Sequence, residues 1–145
     1  MALATTERTL PILPIRSYSG MLYSVEFFAQ ARAKLADGGI LAQWIPTRRS
    51  LAGMMQTFPH GVVIGRSLVL ASNQPIVFDK SRLLERMTSK GVHDYLERGG
   101  LSAQSLRDLL EQSVVTIWTP ATPRETEVNT DMWPRDEYFL NNARG

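Results

Sequence analysis

The stretch that most constrains the fold of this chain is residues 22–46, LYSVEFFAQARAKLADGGILAQWIP. Apolar residues recur at helical spacing in its first half, and Ser24 stands where a hydroxyl can cap the first turn, so the pattern predicts a helix. The glycine pair at 38–39 predicts the end of that helix, because glycine adopts the left-handed conformation of a C-terminal cap. Residues 40–45 are apolar except for Gln43, which favours an interior strand of a parallel sheet covered on both faces.

A polar Gln43 and a large Trp44 lie at the carboxyl end of this predicted strand. Ligands of open α/β sheets bind in the crevice beyond the carboxyl ends of strands. One interpretation therefore places both residues in the wall of a pocket. In the alternative interpretation, Gln43 hydrogen-bonds a loop backbone and Trp44 belongs to the core.

The sequence as a whole predicts three parts. Residues 1–20 contain two prolines and predict an irregular segment, residues 21–78 an α/β unit, and residues 79–145 a helical extension with a long polar terminal loop. Further helices are expected over residues 51–58, 80–90, 92–98 and after Ser102, and extended pieces over residues 61–65, 67–72, 76–78 and 114–118. Asp79 and Ser102 are placed to cap helices, and residues 137–139 are expected to dock on the sheet edge.

Composition excludes several classes of function. A net charge of +2 gives no argument for binding nucleic acid, and no apolar run approaches the ~20 residues needed to cross a bilayer. The chain has no cysteine, which excludes disulfides and thiolate chemistry. His60 and His93 lie in different predicted elements, so no metal site is predicted. A glycine-rich phosphate loop and a nucleophile elbow are also not found in the sequence.

Five segments occur in an order that resembles the C-terminal half of spermidine synthase-like proteins. They are LYSVEFF, LADGGILAQWIP, FPHGVVIG, SLVLASNQPI and NTDMWPRDEY, and the likeness runs over residues 18–138. It is strongest to the bacterial branch in which this domain often follows a membrane-embedded region. The resemblance implies an α/β fold: a partial Rossmann-like sheet of the class I methyltransferase type with a mainly helical C-terminal part.

The resemblance also implies an activity and a set of site residues. Family members transfer an aminopropyl group from decarboxylated S-adenosylmethionine to the amine putrescine. Gln43 matches a glutamine near the amine substrate, Tyr23 matches the LYS-type motif, and Asp131 matches an acidic position of the C-terminal segment. With Trp44 beside Gln43, these are the four candidate substrate-binding residues.

The departures from the family pattern limit what this chain is expected to do alone. The family's catalytic aspartate precedes the LYS-type motif, but the first aspartate here is Asp37, and the nucleoside-binding glycine loop is not found. We therefore expect no cofactor site within the chain, no activity by itself, and a requirement for a missing N-terminal half. The expected location is the cytoplasm, with membrane association only through a region outside this chain. Two alternatives stay open: a non-catalytic interaction or regulatory domain that pairs through a sheet edge, for example as a homodimer, and a methyltransferase-fold enzyme fragment.

Overall fold

A computed structural model describes residues 20–138 of the chain. These residues form a mixed α/β structure with one four-stranded antiparallel sheet and six α-helices. In chain order the elements are a 3-10 helix Gly20–Tyr23, α1 Val25–Lys34, β1 Ile40–Trp44, α2 Arg48–Thr57, β2 His60–Ile64, β3 Leu68–Ser72, α3 Lys80–Met87, α4 Lys90–Arg98, α5 Ala103–Gln112, β4 Val115–Trp118 and α6 Arg135–Tyr138.

The local signals placed most helix starts correctly. Ser24, Asp79 and Ser102 each accept a hydrogen bond from a backbone N–H of the first turn, so the three predicted caps are confirmed. Thr47 caps α2 in the same way through Ser50 N. That cap was not predicted, and α2 therefore begins before the expected residues 51–58.

Two predicted elements differ from the structure. The helix expected over residues 80–90 ends at Met87, after which the hydroxyls of Thr88 and Ser89 donate to the carbonyls of Glu85 and Arg86, and the helix expected over residues 92–98 starts two residues earlier. Such side chains compete with helical hydrogen bonds, and α4 begins anew at Lys90. Residues 76–78, expected to be extended, join no strand of the described chain. Of the segment 137–139, the structure describes 137 and 138 in α6, and residue 139 lies outside the described residues.

The sheet has the order β1-β3-β2-β4, and every neighbouring pair is antiparallel. The prediction that residues 40–45 form a strand of a parallel sheet is therefore wrong for residues 20–138. Among the described strands β1 lies at one edge of the sheet, its neighbour β3 runs in the opposite direction, and Ile40 is 49% exposed. An apolar run reports that a strand is partly covered, but it does not report the direction or number of its neighbours.

Helices α1 and α2 cover one face of the sheet and form the core with it. Phe28 of α1 and Met54 of α2 are fully buried against Val69 and Ala71 of β3. The neighbouring strand has Gly61 opposite Trp118, and a Cβ at Gly61 would lie 2.1 Å from the indole ring. Other core members are Tyr23, Ile45, Phe58 and Trp118 itself.

Helices α3, α4 and α5 contact one another and form a separate helical unit. Every residue of α3 and α4 is at least partly exposed, and Ala103 is the buried residue of α5. Lys80 Nζ donates to the carbonyls of Glu111 and Ser113, which ties the start of α3 to the end of α5. The helical unit is thus held by caps and a lysine contact more than by buried apolar area.

Candidate functional site

The carboxyl end of β1 is fixed from two sides. Gln43 Nε2 donates to the backbone carbonyl of Leu22 at 2.9 Å, so the strand end is joined to the 3-10 helix before α1. Trp44 is half-buried and lies opposite Leu68 in the sheet register. Of the two interpretations of Gln43, the one with a hydrogen bond to the backbone of another segment therefore matches the contact that the structure shows.

Tyr23 lies next to this contact and is part of the core. It is 5% exposed and belongs to the same buried cluster as Phe28. Burial raises the pKa of Tyr23 above its ordinary value of 10.0, because the phenolate would lose hydration. The phenol is therefore neutral at physiological pH.

The C-terminal segment, residues 129–137, binds the start of α1. Asn129 O accepts from Val25 N at 3.0 Å, and Glu26 Oε2 accepts from Asp131 N at 3.0 Å. Asp131 itself is exposed. Asp131, one of the predicted site residues, thus lies at the start of α1 and is held there by its backbone N–H.

The same segment carries a buried carboxylate into the start of α2. We call Thr47, Arg49, Ser50, Asn129 and Asp136 the Asp136 cluster. Asp136 is fully buried; its Oδ2 accepts from Asn129 Nδ2 at 2.7 Å and from the Thr47 hydroxyl, and its Oδ1 accepts from Arg49 Nη1 at 3.2 Å. Asn129 Oδ1 in turn accepts from Asp136 N at 3.2 Å. A buried charge persists only when it is paired and hydrogen-bonded in this way.

Arg49 connects the Asp136 cluster to the surface. Its Nε donates to Glu127 Oε1 at 2.7 Å, and Arg135 reaches the same oxygen at 3.3 Å. The hydrogen bond and charge of Arg49, and more weakly those of Arg135, hold the pKa of Glu127 below its ordinary value of 4.5. Sequence reasoning did not predict this cluster, because Asn129 and its partner Ser50 lie about eighty positions apart in the chain.

A surface groove of about 860 Å³ runs along α1 from Val25 and Glu26 to Arg32, and Thr57 and Asn73 line its far end. At this groove Arg32 donates to Asn73 Oδ1 and to Thr57 O at 2.5 and 2.6 Å. Asn73 directly follows Ser72, which is paired with the first residue of β1. This part of the groove is therefore at the opposite end of β1 from Gln43.

The structure thus brings the four predicted residues to two adjoining places. Gln43 donates to the carbonyl of Leu22, the residue before Tyr23, and Trp44 follows Gln43 in β1, while Asp131 is fixed to the first turn of α1. An amide, a neutral phenol, an indole and an exposed carboxylate are groups that can position a cationic amine. Within residues 20–138, no three His, Asp or Glu side chains are grouped so that they could hold a metal ion.

Comparisons of the chain with family models, with curated proteins and with solved structures return no match. Within the described residues, no helix combines the length and the apolar character that a membrane span requires.

Proposed function

We propose that this chain is the amine-binding part of a spermidine synthase-like aminopropyltransferase. Transfer then needs a nucleoside-binding part, supplied by another region or another chain. One observation carries the proposal: the start of α1, the end of β1 and residues 129–137 meet at one end of the structure. These are three of the segments on which the family resemblance depends.

The chemistry explains why that meeting point matters. In aminopropyl transfer the amine nitrogen forms a bond to a carbon beside a sulfonium, the carbon–sulfur bond breaks, and a neutral thioether leaves. The amine must first lose a proton to a base, and both substrates must be held in line. Asp131 and Glu26 would attract the cationic diamine, while Gln43 and Trp44 would position it. The proton-accepting aspartate is expected from the part outside this chain.

The sheet supports the finer fold assignment, a partial Rossmann-like sheet. β1 and β2 are each antiparallel to β3, so they run parallel to one another, and α2 connects them across one face. A strand, a helix and a parallel strand make the crossover unit of α/β folds. We include in the proposal that β1, β3 and β2 form one side of a larger sheet of that type.

Amine binding gives the direct test. Titration of the ¹⁵N-labelled chain with putrescine is expected to shift the backbone amides of residues 43, 44 and 131 in a saturable way. Asp131→Asn should weaken the affinity about tenfold, because it removes a charge partner of the ammonium group. Asp108→Asn, an exposed aspartate of α5, is the matched control and should leave the affinity unchanged. Saturating shifts that avoid these residues, or none at all, would overturn the proposal.

Activity tests the second half of the proposal. The chain incubated with putrescine and decarboxylated S-adenosylmethionine is expected to form no spermidine above a heat-inactivated control. Spermidine formed by the chain alone would show that the catalytic base lies within it.

A second candidate function has its own observation. No strand within residues 20–138 pairs with the outer edge of β1, and an unpaired strand edge is a template for another chain. This favours an interaction or regulatory domain that pairs through its sheet.

A further inference from the structure

The surface groove that follows α1 has a charged side chain toward each end. Its volume of about 860 Å³ lies within the range of small-molecule sites. Of the described residues that line it, Glu26 and Arg32 are charged, and they lie in the first and last turns of α1. Residues at this spacing are separated by about 9 Å along the axis of a helix. The groove therefore offers a negative and a positive group at a defined separation.

The guanidinium of Arg32 is held in place by two contacts within the chain. Its Nε donates to Asn73 Oδ1 at 2.5 Å, and its Nη1 donates to the carbonyl of Thr57 at 2.6 Å. The third nitrogen, Nη2, has no acceptor within residues 20–138. A guanidinium presents its donors in a rigid fork that suits a carboxylate, and a side chain that is already fixed loses little entropy on binding. Arg32 is thus suited to receive the anionic end of a ligand.

The carboxylate of Glu26 is fixed at the other end of the groove. Its Oε2 accepts from the backbone N–H of Asp131 at 3.0 Å, and its Oε1 has no donor within residues 20–138. The exposed side chain of Asp131 brings a second negative charge to this end of α1. Because charges of opposite sign attract, the ammonium group of a ligand is favoured here.

Small side chains line the groove between these two ends. Ala29 and Ala33 are both exposed, and residues four positions apart lie on the same face of a helix. Their methyl groups leave room for a chain of methylene groups along α1. They offer no hydrogen-bond partner, so a polar chain would gain nothing over an apolar one.

We propose that this groove binds an elongated amine with a carboxylate at its other end, the ammonium at Glu26 and the carboxylate at Arg32. An extended chain covers about 3.5 Å for every three bonds, so 6-aminohexanoate spans about 7 Å from its nitrogen to its carboxyl carbon. That length is close to the separation of about 9 Å along α1. The shorter 4-aminobutanoate spans only about 5 Å, and a long diamine places a second cation beside Arg32.

The proposal goes beyond aminopropyl transfer, because it assigns another class of ligand to another part of α1. Glu26 is common to the two proposals, but different backbone amides report on each of them. Residues 29, 33 and 56 line the groove, whereas residues 43 and 44 report on the putrescine site proposed above.

A set of ligands tests the charge pattern without any change to the chain. In titrations of the ¹⁵N-labelled chain, 6-aminohexanoate is expected to shift the amides of residues 29, 33 and 56 in a saturable way. Its dissociation constant should be about threefold lower than that of hexylamine or of hexanoate, because each of these lacks one exposed ion pair. Both 4-aminobutanoate and 1,6-diaminohexane should bind more weakly than 6-aminohexanoate.

Substitutions test the two ends and the middle of the groove. Arg32→Gln should remove the advantage of 6-aminohexanoate over hexylamine, and Glu26→Gln should remove its advantage over hexanoate. Ala29→Leu should weaken binding of all these ligands, because the larger side chain fills the space for the methylene chain. Lys34→Gln and Gln30→Leu, at exposed positions of α1 outside the groove, are the matched controls and should leave the affinities unchanged. Amide spectra that are unchanged away from the groove show that each variant is folded.

Several results would overturn the proposal. If no ligand shifts residues 29, 33 and 56, or if 6-aminohexanoate and hexylamine bind equally, the groove does not recognise the charge pair. Tighter binding of 1,6-diaminohexane than of 6-aminohexanoate would identify a site for polycations. If putrescine shifts residues 43 and 44 while the groove binds nothing, the proposed function stands and this inference fails. The reverse result would retain the groove and reject the transferase site.

Discussion

Two regions of this chain use the same kinds of residue to different effect. The sheet with α1 and α2 buries whole aromatic side chains such as Phe28 and Phe58, whereas α3–α5 leave Tyr95 71% exposed and Leu109 64% exposed. Both regions have well-capped helices. The difference therefore lies in what their apolar faces meet, since α1 and α2 have a sheet beneath them and α3–α5 have mainly one another.

This difference predicts which region determines global stability and which region opens more easily. Global stability is expected from the sheet layer, because free energy from burial scales with apolar area removed from water. The helical unit should open at lower cost, as regions with few buried contacts do in native-state exchange. The Asp136 cluster belongs to the first region, since it fixes the C-terminal segment to the helix layer.

The largest expected effect is in the core. Phe28→Ala should lower the free energy of unfolding by about 3–5 kcal/mol, the range for truncating a fully buried phenylalanine. Leu109→Ala, in the helical unit, should change it by less than about 0.5 kcal/mol. Urea unfolding followed by circular dichroism measures both, and equal losses would remove the distinction between the two regions.

The Asp136 cluster gives the next effect. Asp136→Ala removes the acceptor shared by Asn129 and Thr47 and deprives Arg49 of its buried partner, which should cost about 3 kcal/mol. Asp37→Ala, at an exposed turn aspartate, is the control and should be nearly neutral. The same urea transitions measure this pair. A neutral Asp136→Ala would mean that the C-terminal segment is not part of the stable layer.

A cap substitution tests the helical unit by itself. Asp79 accepts from Arg82 N, and Asp79→Ala should cost α3 about 1 kcal/mol. The change should appear as faster amide exchange in α3, while exchange in β3 stays the same. Ser81→Ala serves as control, because Ser81 lies in the same first turn of α3 and the structure shows no cap contact for it. Faster exchange in β3 as well would show that helices and sheet unfold together.

How far the sequence predicted this fold depended on the range of each signal. Caps such as Ser24 and Asp79 act within three residues, so their effect can be inferred from adjacent letters, and the capped starts were predicted correctly. The place of β1 in the sheet depends on β3, some thirty residues later. Its apolar composition fitted an interior parallel strand equally well, and only the register with β3 excludes that arrangement.

The candidate site divides in the same way. The residues Gln43 and Tyr23 were selected from local pattern and family resemblance, and their roles in binding an amine stay predictions. The contact of Gln43 with Leu22 was one of two stated alternatives for that side chain. The pairing of Asp136 with Arg49 joins positions 87 residues apart, and no local pattern marks such a pair.

The smallest effect concerns pH at the surface of the Asp136 cluster. The pKa of Glu127 is lowered below 4.5, first by its hydrogen bond to Arg49 and then by the charge of Arg49, with Arg135 contributing less. A carboxyl whose folded pKa lies below its unfolded value stabilises the fold above the unfolded pKa, and that contribution is lost as pH falls through the folded one. The contribution should therefore be complete above about pH 4.5 and fade below it.

NMR titration of the Glu127 carboxyl carbon measures the midpoint directly. Arg49→Gln should move it up toward the ordinary value, and Arg135→Gln should move it less. A larger shift in Arg135→Gln would mean that Glu127 is held by the C-terminal segment itself and does not help join it to α2.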